Sequence, residues 1–332
     1  MKLDRRTALL GTLALGLSAR AAAQVPPPLV PGGRTLSFPD PTETIELWPA
    51  GAPGLAGAAP RETVTERSTD PGYNDRIVTG IARPRMAAFR PERPNGATVL
   101  LIPGGGYQRV VIDKEGYEMA RLLAGRGITA FVLFYRLPHE GWLRGADVPL
   151  ADAQRAVRLL RARAAGFGLD PTRLCVMGFS AGGHVCASLL ARFGDRSYDP
   201  IDEADRLSAR PDAAAPIYPV VSMTPPLAHE GSRSRLIGDD PPRQREQAYS
   251  PHRHVKAGSP PTFLLHAEDD ESVPVGNTLL LREALRDRGV PVETHLFPDG
   301  GHGFGIRLAR GHSVEHWPDL FLAWGRTRNL WS

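Results

Sequence analysis

Leu174-Cys175-Val176-Met177-Gly178-Phe179-Ser180-Ala181-Gly182-Gly183 is the stretch on which the fold is decided. Its first four residues are a short apolar run of strand type. Gly178 to Gly182 read G-x-S-x-G, and residues 183–193 continue small and apolar at helical spacing. Strand, sharp turn and helix form the context in which this motif is a nucleophile elbow. The turn is tight enough that the residues flanking the serine must be small, hence glycine. In a chain with 35 glycines the pentapeptide alone arises readily by chance, so its surroundings must carry the reading.

Those surroundings alternate strands with helices. Thr98-Val99-Leu100-Leu101-Ile102 is a continuous apolar run, as expected of a parallel strand buried on both faces. A helix follows over 115–126 and a second buried strand over 128–135. Leu150, Ala153, Val157 and Leu160 then fall at helical spacing, which predicts an amphipathic helix over 147–163. Beyond the elbow the reading gives a weaker strand over 213–218 and strands over 262–266 and 292–297. Helices are expected up to Gly289 and over 315–326. Short leading strands are expected over 62–66 and 77–83. Residues 222–258 are polar, Pro-rich and poorly periodic, and read as an irregular excursion over the site. The fold class is therefore α/β, a mostly parallel central sheet with helices on both faces, in one catalytic domain over 62–330.

The N-terminus reads differently. Asp4-Arg5-Arg6-Thr7 precedes an apolar run from Ala8 to Leu17, and Ala21-Ala22-Ala23 follows. A charged start, a short apolar middle and small residues at a cleavage site describe a signal peptide over 1–23. The Arg5-Arg6 pair points to the twin-arginine route, and so to a periplasmic or secreted product. The apolar run is too short to span a bilayer, so no membrane association is expected after cleavage. Residues 24–61 form a Pro/Gly-rich linker and an N-terminal arm that packs back on the domain, beginning with the stiff Pro26-Pro27-Pro28. Removing 1–23 takes away Lys2, Arg5, Arg6 and Arg20 against Asp4, so the formal net charge falls from +4 to +1. No long basic run remains, which argues against a nucleic-acid partner. Cys175 and Cys186 read as small buried apolar residues, with neither a disulfide framework nor zinc spacing.

Acyl transfer needs a nucleophile, a base, a group that orients the base, and donors for an oxyanion. The strand ends supply candidates for each. Ser180 is the nucleophile. His266-Ala267-Glu268-Asp269-Asp270 offers two competing carboxylates; Asp270 is preferred because it lies three residues before Val273-Pro274. His302 sits among Gly300, Gly301, Gly303 and Gly305, which free its backbone to approach the serine. His312 and His316 lie near the closing helix rather than at a strand end. The order Ser180, Asp270, His302 is the one expected of this architecture. Ala181 N–H and the loop Gly104-Gly105-Gly106, through Gly105 or Gly106, are the candidate oxyanion donors. Tyr107, Trp142 and His184 are candidate substrate contacts, although for Trp142 a packing role weighs more and for His184 a structural hydrogen bond weighs equally. The chemistry calls for no metal and no organic cofactor.

Pro103 to Tyr107, Gly178 to His184, Ser250-Pro251 with His254-Val255, His266 to Asp270 with Val273-Pro274, and Gly300 to Gly305 together resemble the exported α/β-hydrolase esterases often labelled acetylxylan esterase or xylanase-associated esterase. The resemblance spans roughly residues 45–327. It implies an α/β-hydrolase fold and removal of acetyl groups from hemicellulose polysaccharide or its oligosaccharides. Pro103 stands where that family usually has histidine before the glycines. Feruloyl or general carboxylesterases share these motifs. Prolyl-oligopeptidase-type serine peptidases share the triad order but usually carry a large extra domain, absent from these 332 residues. A non-catalytic binding protein on the same fold typically lacks triad members, and here all three are present.

Overall fold

A computed structural model of the chain describes residues 40, 41 and 43–331. The signal-peptide reading of 1–23 and the start of the linker lie outside the described residues. In chain order the first elements are β1 (Thr44–Glu46), β2 (Thr63–Glu66), β3 (Arg76–Thr79), β4 (Arg85–Phe89), β5 (Thr98–Ile102) and β6 (Val110–Val111). Next come α1 (Glu118–Ala124), β7 (Thr129–Phe134), α2 (Val148–Ala162), α3 (Ala164–Phe167), β8 (Leu174–Phe179) and α4 (Ala181–Arg192). The second half holds β9 (Ala213–Ile217), α5 (Glu230–Ile237), α6 (Arg243–Ala248), β10 (Thr262–Ala267), α7 (Gly276–Asp287), β11 (Val292–Phe297) and α8 (Trp317–Thr327).

Eight strands form the main sheet in the order β1-β4-β7-β5-β8-β9-β10-β11. From β7 to β11 all neighbours are parallel, while β4 and β1 add antiparallel strands at one edge. Every residue of β5, β7, β8, β9 and β10 is buried. That is the reason these strands read as unbroken apolar runs: both faces are covered, so there is no polar face to alternate with. A small second sheet, β2-β3-β6, lies apart from the first.

Three local expectations differ from the structure. The strand read over 77–83 is β3, which ends at Thr79; a further strand that the sequence reading did not include, β4, starts at Arg85 in the other sheet. Gly80, at φ +68°, turns the chain between them, where a Cβ would stand 2.0 Å from the Arg61 carbonyl oxygen. The N-terminal arm does more than cover the surface: β1 pairs with β4, and Leu47 and Trp48 are buried in the core. Finally, the excursion over 222–258 contains α5 and α6. Only Ser232, Leu236 and Ile237 of α5 are buried, so its apolar stripe is too narrow to show as a helical period.

Cys175 and Cys186 are both buried and unbridged, and burial raises both thiols above their ordinary range. No helix among the described residues is long and apolar enough to cross a membrane.

Candidate active site

Ser180 stands between β8 and α4 with φ +54° and ψ −117°, a backbone region that costs a non-glycine residue roughly 1–3 kcal/mol. The surroundings hold it there. Ser180 N–H donates to the Ile217 carbonyl (3.1 Å), and the Ser180 carbonyl accepts from His184 and Val220 N–H (3.1 Å each). A Cβ on Gly182 would stand 2.1 Å from the Ile102 oxygen, so the elbow helix reaches the end of β5 only because that residue is glycine.

Ser180, His302 and Asp270 come together from three strand ends. Ser180 Oγ is 2.8 Å from His302 Nε2, and His302 Nδ1 is 2.6 Å from Asp270 Oδ2. The carboxylate accepts only, so the imidazole proton sits on Nδ1 and Nε2 is bare toward the serine hydroxyl. Asp270 also accepts from the N–H groups of Ser272 (2.9 Å) and Val273 (2.8 Å). Burial pushes its carboxyl up, but hydrogen bonds from His266 and His302, the charge of His302 and the Val273 N–H outweigh burial. The group is held well below the usual carboxylate range. Asp269, its rival in sequence, instead accepts from Gly301 N–H (2.8 Å) and Gly300 N–H (3.3 Å) and clamps the glycine loop that carries His302.

Three further residues support this chain. His266 Nε2 lies 3.1 Å from Asp270 Oδ2 and 3.0 Å from the Val273 carbonyl, so it carries the proton and donates to both. The Tyr218 ring packs edge-on to the His302 imidazole at 5.2 Å. Glu115, only 3% exposed, accepts from Gly104 N–H through Oε2 (2.8 Å) and from Tyr218 O–H through Oε1 (3.1 Å). Tyr218 Oη in turn accepts from Gly305 N–H (3.2 Å). One buried carboxylate thus joins the glycine loop after β5 to the loop that holds His302. Glu115→Gln puts an amide N–H₂ where an acceptor is needed. We expect kcat to fall about tenfold with KM little changed, less than the 10²–10³ of losing an oxyanion donor outright, in steady-state kinetics on an aryl ester.

Of the candidate oxyanion residues, Gly105 and Gly106 lie in left-handed backbone at φ +128° and +63°. The Gly105 carbonyl is turned back to accept from Gln108 and Arg109 N–H. Gly104 packs on Ser180: a Cβ there would stand 2.9 Å from Ser180 Cβ. Its own N–H is committed to Glu115, whereas those of Gly105, Gly106 and Ala181 donate to nothing among the described residues.

The candidate substrate contacts Tyr107, Trp142 and His184 are all buried, in line with the packing role weighed for Trp142 and the structural hydrogen bond weighed for His184. Tyr107 is 1% and His184 2% exposed. His184 Nε2 donates to the Tyr249 carbonyl (2.7 Å), so its Nδ1 accepts from Tyr107 O–H (2.6 Å). Both residues are used internally, in a bridge from the glycine loop to the excursion after β9. Trp142 is also buried, its ring 5.0 Å from the Arg136 guanidinium, which is itself paired with Asp152. It packs under the N-terminal arm, its backbone bridged to Leu55. Tyr107 and Trp142 follow strand ends and His184 lies in α4, yet all three side chains are buried; Tyr107 adopts φ +59°.

Burial, followed by smaller effects, lowers His184 from its ordinary 6.5 to about 4. Between those values the unfolded chain binds the proton and the folded one does not, so stability rises with pH. The contribution is fully present above pH 6.5 and is lost as pH falls toward 4. It amounts to roughly 3 kcal/mol, at 1.36 kcal/mol per unit. Urea unfolding of wild type and His184→Gln at pH 7 and pH 4.5 should show a smaller pH difference in the variant; equal differences would refute the assignment.

A protein-family model, BD-FAE, matches residues 89–285, more than half of the sequence. The chain belongs to the BD-FAE family. Several of its relatives are named as esterases, and one as a xylanase. The chain is 38% identical over 208 residues to endo-1,4-beta-xylanase B of Butyrivibrio fibrisolvens, covering 63% of this chain and 32% of that protein. It is 32% identical over 227 residues to an acetylxylan esterase of Xylanibacter ruminicola, covering 67% and 44%. The chain thus spans less than half the length of these two curated relatives. Among solved structures, an acetyl ester-xyloside bifunctional hydrolase from Caldicellulosiruptor lactoaceticus superposes with TM-score 0.69 at 34% identity, covering 83% of this chain and 100% of that one. The family fold is the α/β-hydrolase fold, with the mainly parallel sheet described above.

Proposed function

We propose that this BD-FAE member is a serine esterase that removes acetyl groups from plant cell-wall polysaccharide or its oligosaccharides. The observation that carries the reading is the hydrogen-bonded chain from Ser180 Oγ through His302 to Asp270. In the first half-reaction Ser180 Oγ attacks the ester carbonyl as its proton passes to His302 Nε2. Asp270 keeps the proton on Nδ1 and balances the imidazolium charge. The N–H groups of Ala181 and of Gly105 or Gly106 stabilise the tetrahedral oxyanion, each worth roughly 3–4 kcal/mol in comparable sites. His302 then returns its proton to the leaving sugar oxygen. Water, deprotonated by His302, attacks the acetyl-serine, and His302 passes that proton to Ser180 Oγ as the acyl bond breaks and acetate leaves.

The acetyl preference is supported by relatives whose names include acetylxylan esterase and acetyl ester-xyloside hydrolase. Export through the twin-arginine route, with cleavage after residue 23, belongs to the same proposal and rests on the sequence of 1–23. The test is acetate released from acetylated xylan, set beside hydrolysis of butyryl and feruloyl esters. A sharp preference for acetyl supports the reading, and equal use of the larger acyl groups replaces it with a general or feruloyl esterase. A fluorophosphonate that leaves Ser180 unlabelled would rule out an enzyme of this mechanism altogether.

A further inference from the structure

We propose that His229 determines specificity at this site by donating a hydrogen bond from Nε2 to the alcohol half of a hydroxylated ester, so that an acetylated sugar is favoured over a plain aryl acetate. The proposal rests on the esterase reading above.

His229 is the N-cap of α5. Its Nδ1 accepts the N–H of Ser232 (3.2 Å) and lies 2.8 Å from Ser232 Oγ. A nitrogen that accepts an N–H carries no proton, so the ring proton is on Nε2. One side of the imidazole therefore holds the helix, and the other is a donor of fixed tautomer.

The ring lies beside the oxyanion loop: its Cε1, the carbon between the two nitrogens, is 3.9 Å from the position a Cβ on Gly106 would take. Burial lowers the His229 pKa and the charge of His302 lowers it further, against smaller opposing effects of Asp270 and Glu230, which favours the neutral ring. His302 must hand its proton to the leaving oxygen, so the alcohol half of an ester lies over His302. Cε1, which borders Gly106, is bonded to Nε2, so the donor stands at the rim of the same loop.

The segment carrying His229 is fixed before any ligand arrives. Asn277, fully buried, accepts from Val221 and Ser222 N–H (2.9 Å each) and donates to the Leu227 carbonyl (2.8 Å), two residues ahead of His229. A donor held this way loses little freedom on binding, which is where its discrimination comes from.

Two variants separate this role from simple capping. In His229→Asn the side-chain oxygen takes the place of Nδ1 and keeps the cap, but nothing reaches the position of Nε2. In His229→Gln the amide nitrogen reaches that position while the cap is weakened. The quantity to measure is the ratio of kcat/KM on an acetylated xylo-oligosaccharide to that on 4-nitrophenyl acetate, together with Tm. The proposal expects the ratio to fall about five- to tenfold in His229→Asn at near wild-type Tm, the scale of one neutral hydrogen bond. It expects the ratio to be largely kept in His229→Gln at lowered Tm. A ratio within twofold of wild type in His229→Asn overturns the inference alone. A wild type inert toward both esters overturns the esterase reading and this inference with it.

Discussion

Ser180→Ala lowers kcat on an aryl acetate by about 10⁵–10⁶-fold, the scale seen when a triad nucleophile is removed. The expectation follows from geometry. Ser180 Oγ is the one group hydrogen-bonded to His302 Nε2 among the described residues, and without it the base has no proton to take. The residue left behind is small, and its neighbours hold the backbone through Ile217, His184 and Val220, so the fold should survive. Circular dichroism and Tm close to wild type, with turnover lost, are the expected pair of results. Retention of more than about a hundredth of wild-type kcat would show that the nucleophile lies elsewhere, since loss of the triad nucleophile costs far more than that.

Asp270→Asn is expected to lower kcat by about 10⁴-fold, because it reverses the histidine tautomer. The orientation of the new amide is dictated by its surroundings. Oδ1 of Asp270 accepts from two backbone N–H groups, Ser272 and Val273, so the amide oxygen must take that side. The amide nitrogen then faces both His302 Nδ1 and His266 Nε2, where the carboxylate accepted from each. His302 can answer only by moving its proton to Nε2, which then points N–H at Ser180 and cannot receive the serine proton. Asp269→Asn is the control. Its oxygen can still accept from Gly301 N–H, so kcat should change less than about tenfold, in line with one altered neutral hydrogen bond. If Asp269→Asn proved the more damaging of the two, the acid would have been misassigned.

The sheet was legible where burial is two-sided. Thr98 to Ile102, buried throughout, matches β5 residue for residue; Val292 to Phe297, only half-buried, matches β11 as closely. β4 was not legible, since Arg85-Met86-Ala87-Ala88-Phe89 has no β-branched residue and sits where Gly80 and Pro84 mask the restart of the chain. Ser180 and His302, each framed by glycines at a strand end, announce themselves through local spacing. Nothing local marks Glu115 or Tyr218, because they meet each other across 103 residues. Tyr107 shows the reverse error. Nearness to a motif in sequence was read as nearness to substrate, and the positive φ of Tyr107 sends its ring inward instead.

The carboxylate of Glu115 lies beneath the site, whereas the residues after β9 are fastened over it at a few points: Asn277, the His184 bridge, and Ser250, whose Oγ accepts from Met223 N–H. This division separates the engine from its intake. Exchanging the roof between those fasteners should retune which ester enters while leaving the bond-breaking parts in register. Changes to the floor would detune both loops together. Diversification of acyl or sugar preference on this scaffold is therefore expected to concentrate in residues 222–258, and a library confined to that segment is the economical place to look for new specificities.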